Sequence, residues 1–141
     1  MERNETKTLA TGESVKLTSA SNVVTIAENT TLTHADSGKV ICVATDALTI
    51  TLPATKDGCE FTFVNTGADG NNIITISPQA EDGISGVITL ASSVVARAGT
   101  VDTDLVNTKA TSKKGSVVKI IGTGTAGTTA WVIDHSTGIW A

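Results

Sequence analysis

The chain has 141 residues, 40% of them hydrophobic and 17% charged, and its formal net charge is −4. This apolar content suits one globular domain rather than a disordered chain, and the acidic balance argues against a nucleic-acid partner, which would select a basic face. No apolar run is long enough to span a membrane, and the polar N-terminal stretch lacks the apolar region of a signal peptide.

The composition also predicts the fold class. Thr is abundant, Tyr is absent, and no segment shows a sustained helical period of apolar residues. Because β-branched residues fit a pleated surface and lose rotamer freedom in a helix, we expect an all-β fold with at most a single helical turn. Residues 1–12 are charged at the start and have little to bury, which predicts a flexible N-terminal arm before a single domain over residues 13–141.

Three short strands are predicted in the first third of the chain, over Ser14 to Leu17, Asn22 to Ala27 and Val40 to Ala44. The last of them is apolar on both faces, which indicates a strand that is covered on both sides. His34 and Asp36 precede it in a stretch rich in turn residues. Proton chemistry is one interpretation of this pair, but a surface turn that hydrogen-bonds its own backbone is favoured.

The clearest pattern lies in the middle of the chain. Leu48–Leu52, Cys59–Phe63 and Ile74–Ser77 each alternate apolar and polar side chains. A period of two places alternate side chains on opposite faces of a sheet, so we predict three consecutive antiparallel strands with two tight connections. Their shared inward face places Phe61 and Phe63 in the core.

The pattern then weakens before it returns. Gln79 to Gly86 is predicted as a loop, and its acidic residues lack the ligand spacing of a calcium loop. Trp131 and Trp140 are expected to anchor the packing, each removing on the order of 150–250 Å² from water, whereas an exposed Trp140 would mark a contact surface. The remaining predicted strands are Val87–Leu90, Val94–Ala96, Leu105–Val106, Ser116–Ile121, Ala130–Asp134 and Ile139–Trp140, with a tight turn at Ser136–Gly138 between the last two.

Two motifs suggest chemistry. Gly122 to Gly127 has the G-x-G-x-x-G spacing of a dinucleotide-binding loop, but a strand-like segment follows it where a helix is required, so a hairpin loop is favoured. Asp134 and His135 suggest part of a hydrolytic triad, but adjacent residues of a strand point to opposite faces, and no nucleophile elbow occurs. We therefore expect no enzyme active site and no cofactor.

The two cysteines, Cys42 and Cys59, both lie in predicted strands. Two buried reduced thiols are the favoured interpretation, and a disulfide between neighbouring strands is the main alternative. A metal pair with His34 is a remote third interpretation, because zinc needs three or four ligands in register. No metal site is therefore expected.

Three lysines, Lys109, Lys113 and Lys114, cluster before the strand that begins at Ser116. A solvated loop end is the simpler interpretation of this cluster. The sharper hypothesis is a docking patch for an acidic protein surface, because complementary charge guides such contacts.

Two stretches of the chain resemble virion proteins of tailed bacteriophages. The first contains TLTHADSGKVICVA, LTITLPATKDGCEFTFVNTG and IITISP, and it is similar to the repeated strand-turn pattern of small head-decoration and head-fibre proteins. The second, NTKATSKKGSVVKIIG followed by AWVIDHSTGIWA, resembles the C-terminal element of many phage structural proteins. The segment 123–129 is longer and richer in glycine than that element.

This resemblance implies an antiparallel β-sandwich of jelly-roll or tulip-like form that is made in the host bacterial cytoplasm. It would bind the major capsid protein on the outer capsid surface of the virion as a homotrimer and stabilise the head. The alternative is a head- or tail-fibre module that binds host-surface glycan, which predicts an exposed Trp or an Asp/Asn cluster in a groove. The residues expected to dock on the capsid are Arg3, Lys7, Lys113 and Lys114, and the expected anchors of the trimer or the core are Phe61, Phe63, Trp131 and Trp140.

Overall fold

The computed structural model describes residues 4–8, 14–18 and 22–141, with side chains from Asn22 onward. The all-β prediction is confirmed, because the helical elements of these residues are two 3-10 turns, η1 (His34–Asp36) and η2 (Lys109–Thr111). The described strands are β1 (Asn4–Thr8), β2 (Ser14–Thr18), β3 (Val23–Ile26), β4 (Thr30–Thr31), β5 (Val40–Val43), β6 (Leu48–Thr51), β7 (Glu60–Asn65), β8 (Ile74–Ser77), β9 (Asp82–Thr89), β10 (Val94–Ala98), β11 (Leu105–Asn107), β12 (Val117–Gly122) and β13 (Gly127–Thr137).

Two sheets share one core. The seven-stranded sheet has the strand order β10-β9-β13-β12-β7-β5-β3, and the four-stranded sheet has the order β11-β8-β6-β4. Inward side chains of both sheets belong to a single hydrophobic cluster. Ile41, Phe61 and Phe63 of the larger sheet and Ile50 and Ile76 of the smaller sheet are fully buried in it.

The predicted antiparallel direction of the central strands is wrong. β6 and β8 are parallel neighbours in the four-stranded sheet, while β7 lies in the seven-stranded sheet and runs parallel to β5. The connections 52–59 and 66–73 therefore cross between the sheets instead of forming hairpins. Alternation assigns a side chain to a face but does not identify the partner strand or its direction. Of the ten described strand pairs five are parallel, so the sheets are mixed.

From β3 to β8 the chain winds through three successive turns, each of which adds one strand to each sheet. β3, β5 and β7 are parallel neighbours, and so are β4, β6 and β8. In the larger sheet Val24, Ile41 and Phe63 share one row, and in the smaller sheet Ile50 lies beside Ile76. These two rows stack apolar on apolar side chains, whereas the next inward row of the larger sheet places Asn65 beside Val43. The period of two is thus satisfied by parallel pairing.

Several predicted boundaries differ in the C-terminal half. β9 begins at Asp82, inside the predicted loop, and β13 continues to Thr137, through the first part of the predicted turn. The predicted strand Ile139–Trp140 is absent from the described strands. Ala141 instead exchanges two backbone hydrogen bonds of 2.7 and 2.9 Å with Val106 of β11, which ties this end of the chain to the four-stranded sheet.

A β-bulge explains why the prediction that Asp134 and His135 point to opposite faces is wrong. The pairing of β12 with β13 shifts register between Lys119 and Ile120. A bulge breaks the strict alternation of side chains along the strand. Asp134 and His135 accordingly do not point apart, since His135 Nδ1 lies 3.2 Å from Asp134 Oδ2 and both side chains are exposed.

Part of the predicted N-terminal arm is a strand, because Asn4–Thr8 pairs antiparallel with Ser14–Thr18. The other residues of the arm, 1–3 and 9–12, lie outside the described residues. The flexibility of the arm therefore stays a prediction.

Candidate functional site

The four aromatic residues expected to anchor the trimer or the core all lie inside the folded chain. Phe61, Phe63, Trp131 and Trp140 are fully buried, and the ring of Phe61 lies 5.7 Å from that of Trp131. The indole N–H of Trp140 donates to the Thr137 carbonyl at 3.1 Å, whereas the buried indole N–H of Trp131 has no partner among the described atoms. These rings pack the core, so contacts with other molecules must use other residues.

The residues expected to dock on the capsid divide into two groups. Arg3 lies outside the described residues, and the Lys7 side chain is not described although its backbone belongs to β1. Lys113 and Lys114 lie just after η2. The Lys113 ammonium is 3.7 Å from Asp69 Oδ2, and the Lys114 backbone N–H donates to Asp69 Oδ1 at 2.9 Å.

A second aspartate lies beside the lysine cluster. The Lys109 ammonium forms an ion pair with Asp46, whose other carboxylate oxygen accepts the Ile73 backbone N–H at 2.9 Å. The hydrogen bond from Lys109, followed by that from Ile73, lowers the pKa of Asp46. The backbone N–H of Lys114 and then the charge of Lys113 lower the pKa of Asp69. Three lysines and two aspartates leave this surface with a net charge of only about +1.

Beneath this surface lies a buried network of asparagine side chains. Asn65, Asn72 and Asn107 are all fully buried. Asn65 Nδ2 donates to Asn107 Oδ1 at 2.9 Å, and Asn65 Oδ1 accepts the Gly67 N–H at 2.9 Å and Asn72 Nδ2 at 3.2 Å. Asn107 Nδ2 in turn donates to the Ile139 carbonyl at 2.8 Å. Buried amides with satisfied partners hold their surroundings in one arrangement.

This network defines what we call the amide end, formed by the loops 66–73 and 108–116 together with Ile139. Sequence analysis assigned none of the three asparagines a role, although a signal was present. Asn65 lies two residues after Phe63, and Asn107 lies two residues after Leu105, so alternation places both side chains inward. They were overlooked because Asn is also the common residue of turns.

The opposite ends of the strands form what we call the glycine end, with the loops 52–59, 99–104 and 123–126. The Gly122–Gly127 segment is confirmed as a hairpin loop, because it joins the antiparallel strands β12 and β13. At Gly99, where φ is +74°, a Cβ atom would collide with the Thr128 carbonyl oxygen. A cleft of about 480 Å³ opens here beside Asp82, but this buried carboxylate already accepts the Thr55 N–H at 2.8 Å.

The His, Cys and Asp side chains considered for chemistry either form structural hydrogen bonds or lie apart from one another in the described region. His34 Nε2 is 2.7 Å from the Ala54 carbonyl, and the Asp36 carboxylate accepts the Thr33 N–H at 2.9 Å, as expected for a surface turn. The prediction of two buried thiols is correct for Cys59 and wrong for Cys42, which is half-buried because its side chain points outward from the seven-stranded sheet. Within residues 4–8, 14–18 and 22–141, no three His, Cys, Asp or Glu side chains are grouped closely enough to hold a metal ion.

The outer faces of the two sheets differ in chemistry. The four-stranded sheet presents two rows of side chains that are mostly hydroxyls, Thr31–Thr51–Ser77 and Thr49–Thr75–Val106. The seven-stranded sheet presents many more apolar groups, including the row Thr25–Cys42–Val64–Val117–Thr137. One face is therefore well hydrated, and the other carries apolar surface that water solvates poorly.

Comparison of the chain with protein-family models, with curated proteins and with solved structures finds no significant match. No helix of the described ranges is long and apolar enough to cross a membrane.

Proposed function

We propose that the protein is a bacteriophage capsid-decoration protein of β-sandwich form, which binds the outer capsid surface as a homotrimer and stabilises the head without catalysing a reaction. The observation that carries this proposal is the amide end, where three buried asparagines hold two exposed loops and a mixed set of charges in place. The virion resemblance of the sequence supplies the class of partner.

The buried network favours binding by a preformed surface. A loop that is already ordered loses less conformational freedom on association, so more of its contact energy contributes to affinity. Asn65 contacts the first loop through the Gly67 N–H, and it contacts Asn107, which directly precedes the second loop. The second loop is tied to the first because the Gly70 N–H donates to the Ser112 carbonyl at 2.9 Å. The lysines of the second loop therefore approach a partner in a constant arrangement.

The charges of the amide end suit a protein partner. Lys109 and Lys113 each face a carboxylate, whereas the Lys114 ammonium has no ion-pair partner within residues 22–141. Interspersed charges of both signs give specificity and orientation through complementary contacts. In a trimer each docked protomer raises the effective concentration of the next, so three modest contacts hold the assembly on the capsid.

The test is binding to undecorated capsids of the parent phage, with bound copies counted by electron microscopy. The double variant Lys113→Glu/Lys114→Glu should weaken binding by roughly tenfold at low salt, because it replaces complementary rim charge with repulsion. The control Lys56→Glu makes the same kind of reversal at the glycine end and should bind normally. Unchanged binding of the double variant would exclude the amide end as the docking surface, and failure of the native protein to bind would refute decoration.

The arm is tested by a separate deletion of Met1 to Gly12. Attachment should weaken if Arg3 and Lys7 contribute contacts, while the thermal unfolding midpoint of the remaining domain should stay within a few degrees. Full attachment of the truncated protein would eliminate the arm from the docking surface and leave the amide end as the test of the proposal.

A further inference from the structure

The cleft at the glycine end contains a buried carboxylate that lacks a cationic partner among the described residues. Asp82 is only 3% exposed, and it lines this cleft of about 480 Å³. A carboxylate can accept about four hydrogen bonds, whereas the side chain of Asp82 accepts one from residues 22–141, the Thr55 N–H at 2.8 Å from Oδ2. No ammonium or guanidinium of those residues forms an ion pair with it. Because a buried charge is costly unless it is paired, Asp82 points to a ligand that carries a positive charge.

The free oxygen of this carboxylate, Oδ1, opens to the cleft. Among the described side chains, the one nitrogen or oxygen that is both sealed from solvent and without a partner is Trp131 Nε1. Asp82 Oδ1 has no partner either, so it must touch solvent, and Asp82 lines the cleft. The backbone fixes its position, because the Asp82 N–H donates to the Gln79 carbonyl at 2.9 Å and the Asp82 carbonyl accepts the Asp102 N–H at 3.0 Å. The acceptor is therefore in place before any ligand binds.

The other residues that line the cleft add acceptors and apolar groups. The amide nitrogen of Gln79 donates to the Leu52 carbonyl at 2.7 Å, which leaves the amide oxygen without a partner in the described region. Glu81 contributes an exposed residue with a second carboxylate. None of the described residues that line the cleft is Lys, Arg or His, so an anionic ligand would meet only repulsion. Three alanines supply apolar lining, namely Ala54, Ala80 and Ala126.

The chemistry of the cleft selects one kind of cation. A guanidinium binds best to both oxygens of one carboxylate, but Asp82 Oδ2 is already engaged by Thr55. A quaternary ammonium is held by an aromatic cage, and the four aromatic side chains of the chain are all buried in the core. A metal ion needs several ligands, and the described ranges group no three His, Cys, Asp or Glu side chains for one. A primary ammonium has three N–H donors, which match the free oxygens of Asp82, Gln79 and Glu81.

We propose that this cleft binds a primary ammonium group on an alkyl stem, with Asp82 as its main counter-charge and Glu81 as a weaker one. The three alanines suit the stem, and the volume of the cleft lies in the range of about 300–1,000 Å³ that is usual for small-ligand sites. A lysine side chain and a free alkylamine share this chemistry. The site lies at the glycine end, so it is separate from the docking surface of the proposed function.

The test is a titration of the ¹⁵N-labelled full chain, followed by the backbone N–H signals of Thr55, Asp82 and Gly124. Butylammonium chloride is the probe for a free amine, and the blocked tripeptide acetyl-Gly-Lys-Gly-amide is the probe for a lysine side chain. Butylammonium should shift these signals to saturation, whereas butan-1-ol at the same concentrations should not, because it has the stem without the charge. Saturation by the tripeptide as well would identify a lysine side chain as an occupant, and its failure would restrict the site to free amines.

Variants that neutralise one charge locate the site. Asp82→Asn should weaken butylammonium binding by at least about tenfold, because the new amide can still accept the Thr55 N–H but carries no charge. Glu81→Gln changes an exposed residue and should weaken binding by about twofold. The matched control Asp134→Asn removes the same charge from an exposed position on the large sheet and should bind as the native protein does.

Several results would overturn the proposal. These are an absence of saturable shifts with butylammonium, equal shifts with butan-1-ol, and an affinity that Asp82→Asn leaves unchanged. An equal loss in Asp134→Asn would also overturn it, because it would indicate a response to net charge alone. Should Asp82→Asn fail to fold, an unchanged affinity of Glu81→Gln would be decisive against the site. Capsids take no part in these measurements, so their outcome is independent of decoration.

Discussion

At the amide end three buried asparagine side chains hold the loops, whereas at the glycine end backbone segments approach each other where no Cβ atom intervenes. Asn65 links Gly67, Asn72 and Asn107 through hydrogen bonds. Gly99 instead brings its backbone against the Thr128 carbonyl. The first arrangement depends on particular polar atoms, and the second depends on the absence of atoms. Gly99 should therefore be sensitive to added atoms, and Asn65 should be sensitive to their removal.

The largest effect is expected from adding one methyl group at the glycine end. Gly99→Ala should lower the free energy of unfolding by about 4 kcal/mol, because the new Cβ meets the Thr128 carbonyl and φ is positive. Gly115→Ala at the amide end is the control, since its φ is also positive at +88° but nothing lies within 4 Å of the new Cβ. It should cost about 1 kcal/mol. Equal losses in urea unfolding, at one protein concentration, would contradict this contrast.

The next effect comes from removing atoms at the amide end. Asn65→Ala should cost about 3 kcal/mol, because it leaves the Gly67 N–H and the side chains of Asn72 and Asn107 buried without this partner. Asn22→Ala removes an exposed amide that donates to the Gly38 carbonyl, and it should cost less than about 1 kcal/mol. Urea unfolding measures both. A small loss for Asn65→Ala would mean that the network is not needed to hold the loops.

A smaller difference should separate the two tryptophans. Both Trp131→Phe and Trp140→Phe remove buried ring volume, but only the second removes a hydrogen bond, that to the Thr137 carbonyl. Trp140→Phe should therefore be the more destabilising by about 1 kcal/mol. Thermal unfolding of the two variants under identical conditions measures this difference. A greater loss of stability for Trp131→Phe would contradict the stabilising role of the Trp140 hydrogen bond.

The smallest effect is expected from acid. The pKa values of Asp46 and Asp69 are lowered from an ordinary value of 3.8, so the folded state binds fewer protons than the unfolded state near that pH. Their stabilisation is complete above the unfolded value and is lost as the pH falls through the folded value. Asp46→Asn/Asp69→Asn should reduce the fall in unfolding temperature between about pH 5 and pH 2. An acid response identical to that of the native protein would show that these ion pairs contribute nothing.

The inward and outward sides of the strands could be predicted from the sequence, but the strand neighbours could not. Alternation correctly placed Leu48, Ile50, Phe61 and Phe63 in the core. It predicted an antiparallel meander where the chain crosses between sheets. A strand with one buried face shows the same alternation whichever strand it pairs with, and in whichever direction. Which strands pair in parallel, and in which register, is seen only in the three-dimensional structure.

The candidate site was predictable only in part. The lysine cluster was evident because Lys113 and Lys114 are adjacent in the chain. The carboxylates that pair with these lysines were not evident from the sequence. Asp46 lies 63 residues from Lys109 and is brought to it by the fold. The asparagine network depends likewise on residues from separate strands and loops, which no local spacing connects.

The position of β13 between β12 and β9 has a consequence for biosynthesis. β9 and β10 pair with each other early, but their attachment to the remaining large sheet is made through β13, which follows every other described strand in the chain. Until β13 has been translated, the β9–β10 hairpin cannot pair with the rest of that sheet, and its apolar side chains are exposed to solvent. Nascent chains should thus acquire protease resistance late, in one step, once this strand has emerged from the exit tunnel.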